Sequence, residues 1–164
     1  MKITVDKFLD INAHNYPFRE AVVFEDRRAD FAGLNLRVNQ KANAFLSLGI
    51  KKGTHVGTLF ANCLEVVESI FALLRIGAVV VPLNIRLSPT ELEYVVDQSD
   101  VSALVFQDRL EEVARKIQPA CPKGCERRAD CLGGVVNLLR RNLTLLRTKG
   151  SHRILQLAQD RRPL

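Results

Sequence analysis

At 164 residues, 47% apolar and 26% charged, the chain has the composition of a globular protein that buries a core, which excludes a wholly disordered one. Its most apolar window, Ile70–Leu83, is interrupted by Arg75 and falls short of the roughly 18 unbroken apolar residues a bilayer span needs. The acids in the first ten residues argue against a secretory leader, so the expected compartment is the cytoplasm. The net charge of +6 is unevenly placed: residues 1–118 carry 14 Lys and Arg against 15 Asp and Glu, and residues 119–164 carry 10 against 3.

Thr4 stands where it can cap a first helix, with Val5, Phe8, Leu9 and Ile11 as its apolar side. Ala21–Phe24 reads as a short strand, Glu25–Arg28 as a turn, and Ala29–Phe31 as the hairpin partner. Asp30 is placed to cap a second helix through Leu48, whose Leu34, Val38, Ala42 and Phe45 fall three or four apart and form a buried stripe. Gly49 marks its end, because glycine tolerates the left-handed turn there.

Three strand–helix units follow. Val56–Phe60 reads as a strand, Asn62 as the cap of a helix over Cys63–Ile76, and Gly77 as its stop. Ala78–Leu83 is nearly all apolar, as expected of a strand covered on both faces. Ser88-Pro89-Thr90-Glu91 combines a capping serine, proline at the first helical position and glutamate three after the cap. Leu92, Tyr94 and Val95 supply that helix's apolar side. Ser102–Phe106 is the next strand, and Asp108 caps a last helix through Ile117. The alternation predicts an α/β fold of βαβ units with a largely parallel sheet.

Beyond Pro119 the sequence changes kind. Residues 119–164 hold three of the four cysteines and none of the aromatics, and arginines outnumber lysines eight to two. Val135, Leu138, Leu139, Leu143 and Leu146 can share a helix face ringed by Arg140, Arg141 and Arg147, a pattern able to meet an anionic membrane surface or nucleic acid. The missing aromatics count against single-stranded nucleic acid.

Read together, Leu48 through Gly57, Asn62-Cys63-Leu64-Glu65 through Ile76 to Asn84, and Leu87–Leu92 with the strand ending at Phe106 resemble the N-terminal part of the adenylate-forming enzymes, most closely the fatty-acyl-CoA ligases. The resemblance reaches back through Phe24–Arg28 and Leu34–Asn39 and covers about residues 3–118. It implies the N-terminal portion of an acyl-CoA-ligase-like large domain, in a family that activates a carboxylic acid with ATP to an acyl-adenylate and passes the acyl group to coenzyme A. The family usually shows Asp-Arg at Thr54-His55 and Thr-Tyr at Asp30-Phe31. It also usually carries a charged residue near Gly33, where glycine in a first turn costs about 0.5–1 kcal/mol against alanine.

The resemblance carries no catalytic, cofactor-binding or metal-binding residue onto this chain. A Ser/Thr/Gly-rich phosphate loop ending in Pro-Lys-Gly does not occur in it, and Thr148-Lys149-Gly150-Ser151 lacks the density of glycines and hydroxyls. Cys121, Cys125, Cys131 and His152 give one short cysteine pair where zinc sites usually have two. Cys63 reads as a small core residue; His14 and His55 are isolated; Gly49, Gly53 and Gly57 flank a turn; Asn62 and Asn84 read as a cap and a turn residue.

The expectation is therefore a ligase part over 1–118 and a basic Cys/Arg/Leu-rich tail over 119–164. The tail resembles out-of-frame or alternative-exon sequence more than the family's continuation. ATP, Mg²⁺ and coenzyme A belong to the full-length family, with no cofactor held by this chain and no nucleic-acid partner. The chain alone is expected to be inactive and prone to self-association. The alternative is a non-catalytic binding module whose basic tail meets an anionic partner.

Overall fold

The computed structural model describes residues 4–117, 136–140 and 143–146. The elements in chain order are α1 (Val5–Asn15), β1 (Glu20–Phe24), β2 (Arg27–Asp30), α2 (Phe31–Ser47), β3 (His55–Leu59), α3 (Leu64–Arg75) and β4 (Val79–Leu83). They continue with α4 (Pro89–Gln98), β5 (Ala103–Gln107), a short 3-10 turn (Asp108–Leu110), α5 (Glu111–Ile117), β6 (Val136–Arg140) and β7 (Leu143–Leu146). The chain divides into two compact units, residues 1–54 with 61–80, and residues 55–60 with 81–164.

In the first unit, β1 and β2 form an antiparallel hairpin. Its turn is shorter than expected: Glu25 takes a positive φ of 52°, so the chain reverses over Glu25-Asp26, and Arg27 and Arg28 already pair in β2. Asp30 caps α2 as expected, its Oδ1 accepting from Gly33 N at 2.7 Å. The same contact accounts for the glycine. A Cβ at position 33 would lie 2.9 Å from that capping oxygen, so the helix-propensity cost expected there is the condition for a tight cap. The α2 stripe Leu34, Val38, Ala42 and Phe45 is buried throughout. The α1 stripe is not: Leu9 is buried, whereas Val5, Phe8 and Ile11 are exposed. Thr4 sits at the N-cap of α1 without a side-chain capping bond.

The second unit is built on a sheet, of which Val79 and Val80 fall in the first unit. The strand order is β4-β3-β5-β6-β7, and β4, β3 and β5 make its parallel part. Val56–Leu59 of β3 runs parallel to Ala103–Phe106 of β5. On its other side β5 pairs antiparallel with β6, and β6 with β7. Val136–Arg140 and Leu143–Leu146 thus form two strands, where their leucine spacing had allowed a helix face. Leucines at this spacing suit a strand laid beside an existing one as well as they suit a helix face.

Burial follows position in the sheet. β5 has neighbours on both sides, and Ala103–Phe106 are buried. β4 is outermost, so Val79 and Pro82 are exposed and Val80 and Val81 only half-buried, contrary to the expectation of a strand covered on both faces. Around β5 the core gathers Leu59, Leu83, Leu92, Val96, Val101, Leu104, Phe106, Ala114 and Ile117. In α4 the inward residues are Leu92 and Val96, one helical turn apart, with Val95 packed beside them. Tyr94 lies about 200° around the helix from Leu92 and points outward, so it is no part of the apolar side.

Three helices stop by one device. After α2, Gly49 N bonds to Leu46 O and Ile50 N to Phe45 O; after α3, Gly77 N to Leu74 O and Ala78 N to Leu73 O; after α4, Asp100 N to Asp97 O and Val101 N to Val96 O. These are Schellman turns, which need a left-handed residue just past the helix. Gly49 and Gly77 meet that with φ of 77° and 73°, and Asp100 with 50°. At the start of α4, Ser88 and Glu91 form the expected capping box.

Candidate functional site

The buried polar chemistry of the first unit lies along one row of α3. Glu65, Glu68, Ser69 and Ala72 follow the i, i+3, i+4, i+7 spacing of a single helix face, and all four are buried. Facing them on α2, Arg37 and Lys41 stand one helical turn apart. Lys41 Nζ lies 2.8 Å from Glu68 Oε2, and Arg37 Nη1 lies 3.2 Å from Glu68 Oε1. Lys41 Nζ also donates to Glu65 O at 3.3 Å and Ser69 Oγ at 3.4 Å, while Ser69 Oγ donates back to Glu65 O at 2.6 Å. From the hairpin, Arg27 Nη1 reaches Glu65 Oε1 at 2.7 Å.

The electrostatics follow from burial and pairing. Burial pushes the Lys41 ammonium below its usual range, while the Glu68 carboxylate opposes that shift. For Glu65 burial acts upward, but the Arg27 hydrogen bond and charge and the local backbone bond outweigh it, and the carboxyl titrates below its ordinary value. Burial pushes the Cys63 thiol up, so it stays protonated and weakly nucleophilic. Both buried carboxylates and the buried ammonium are already engaged. The arrangement is a clasp between α2, α3 and the hairpin, and its groups face one another instead of an open cleft.

Arg75, which interrupts the apolar window, forms a second junction. Its Nη1 donates to Asn35 and Asn39 Oδ1 at 2.9 and 2.6 Å, and its Nη2 to Asp10 Oδ1 at 2.6 Å, tying α1 and α2 to the last turn of α3.

The residues weighed in the sequence are not brought together. His14 is exposed at the end of α1. His55 opens β3 with its Nδ1 2.7 Å from Ser99 O, the C-cap carbonyl of α4. Cys63 is buried and occupies the N-cap position of α3 without a side-chain capping bond, displacing Asn62 from the role expected for it. Asn84 is the turn residue expected, its Oδ1 accepting from Arg86 N at 3.0 Å. Cys121, Cys125, Cys131, His152 and Thr148–Ser151 lie outside the described residues. Among the described residues no three His, Cys, Asp or Glu converge as metal ligands, and no helix is long and apolar enough to cross a membrane. The sequence reading singled out none of the clasp residues for a role. The available signal was two glutamates and a serine at helical spacing, in the position of a core stripe.

The clasp predicts a pH dependence. Because Glu65 titrates lower folded than unfolded, its contribution to stability is complete above the ordinary glutamate value of about 4.3 and is lost as acid carries the pH through the lowered value. Urea midpoints measured from pH 6 down to pH 3 are expected to fall less steeply for Arg27→Met than for the natural chain. Parallel curves would mean the ion pair does not hold the carboxyl.

The sequence model described as AMP-binding enzyme matches residues 9–142, a span that continues past the division expected at 118/119 and includes β6. A crotonobetaine/carnitine–CoA ligase of Salmonella paratyphi B is 37% identical over 108 residues, covering 63% of this chain and 21% of that protein. The inhibitor-bound N-terminal domain of FACL13 from Mycobacterium tuberculosis superposes with a TM-score of 0.68 at 27% identity, covering 72% of this chain and 30% of that one. A fatty acyl CoA synthetase of Mycobacterium tuberculosis gives a TM-score of 0.66 at 27% identity, over 71% of this chain and 24% of that one. The chain therefore spans about a fifth of the length of the full-length ligase that it matches by sequence.

Proposed function

Because the chain belongs to the AMP-binding enzyme family, we propose that it supplies the first part of the large domain of an ATP-dependent acyl-CoA ligase acting on a fatty acid. The observation that carries this reading is the family match over residues 9–142, together with relatives named as CoA ligases and acyl-CoA synthetases. On this reading a carboxylic acid is joined to AMP and then to the thiol of coenzyme A. The phosphate-binding loop for that chemistry is absent from these 164 residues. Glu65 and Glu68, the two buried carboxylates among the described residues, are each paired with cations. The role of this chain's own residues is to frame the domain. α2 and α3 are clasped, and β3, β4 and β5 supply the parallel strands that later segments extend.

Transition-state stabilisation in acyl and phosphoryl transfer needs positioned donors. The chain alone, given ATP, Mg²⁺, coenzyme A and a panel of fatty acids, is expected to release no AMP above background. The descent is tested separately by grafting residues 4–117 in place of the matching segment of the Salmonella ligase. The chimera is expected to stay soluble and keep its native activity within about tenfold, and an insoluble or inert chimera would count against the reading. Turnover by the chain alone would overturn its proposed inactivity.

The same reading predicts self-association. β4 is outermost with Val79 exposed, and Val5, Phe8 and Phe18 are exposed in the first unit. Open strand edges and apolar patches are templates for association. Light scattering at micromolar concentration is expected to show species larger than a monomer, with binding of a hydrophobic dye; a monodisperse monomer would contradict it.

A further inference from the structure

We draw no further inference here: the strongest candidate, the apolar face that Val5, Phe8 and Ile11 expose on the first helix, carries nothing because nothing in the structure shows what covers it.

Discussion

Replacing Glu68 with alanine is expected to destabilise the chain by about 3–5 kcal/mol, the cost of removing one partner from a buried ion pair. The Glu68 side chain is 5% exposed and its partner Lys41 11%. Without the carboxylate, the ammonium keeps Glu65 O and Ser69 Oγ, neutral acceptors at 3.3 and 3.4 Å, and the attraction of the Glu65 charge that Arg27 already pairs. Arg37 is half exposed, so water can replace what it loses. The double variant Lys41→Met/Glu68→Leu removes both charges at similar volume and is expected to recover most of the loss, because an apolar pair needs no compensation. Urea denaturation of the three proteins measures this. A loss below about 1 kcal/mol for Glu68→Ala, the range of exposed pairs, would mean the clasp is solvated.

Phe106→Ala is expected to cost a comparable amount, about 3–5 kcal/mol, through lost burial and the cavity left behind. Phe106 is fully buried at the centre of the second unit's core, between strands that hold it from both sides. Against a total stability of about 5–15 kcal/mol, such a change leaves a large unfolded fraction. Tyr94→Ala on the exposed face of α4 is the control and should move the urea midpoint little, within about 0.5 kcal/mol. A Phe106→Ala midpoint equal to the control's would place the core elsewhere.

The elements legible in the sequence were those whose signals are local. Asp30 and the Ser88–Glu91 box announce helix starts by the hydrogen bonds their own side chains make. Gly49 and Gly77 announce helix stops by the φ they permit. The α2 stripe was legible because its four residues are all apolar and fall at helical spacing. What depended on neighbours was not. Ala78–Leu83 and Ser102–Phe106 look alike as apolar runs, yet β4 is outermost and β5 is paired on both sides, and strand order is not written in either run. The α1 side chains show the same limit, since a hydrophobic stripe does not say whether anything packs against it. β6 and β7 show a third case, where leucines spaced for a helix pair as strands once β5 offers an edge.

The clasp was missed for a related reason. Glu65 and Glu68 stand in the position of a core stripe, but nothing in α3 itself says that Lys41, 24 and 27 residues earlier, faces them. The missing signal is pairwise: a buried carboxylate is tolerable only beside a cation, and one sequence does not reveal which residues are opposite. The family match, in contrast, rested on order and spacing over a hundred residues, which survive changes at single positions such as Thr54-His55.

The pairing of β3 with β5 has a consequence for how the chain is made. Val56 meets Ala103, 47 positions later, whereas the β1–β2 hairpin closes across two residues. At a synthesis rate of about 5–20 residues per second, β3 waits several seconds after leaving the ribosome before its partner emerges. Through that interval the edge of β3 that later meets β5 is unpaired, and an unpaired strand edge is a template for association with another copy.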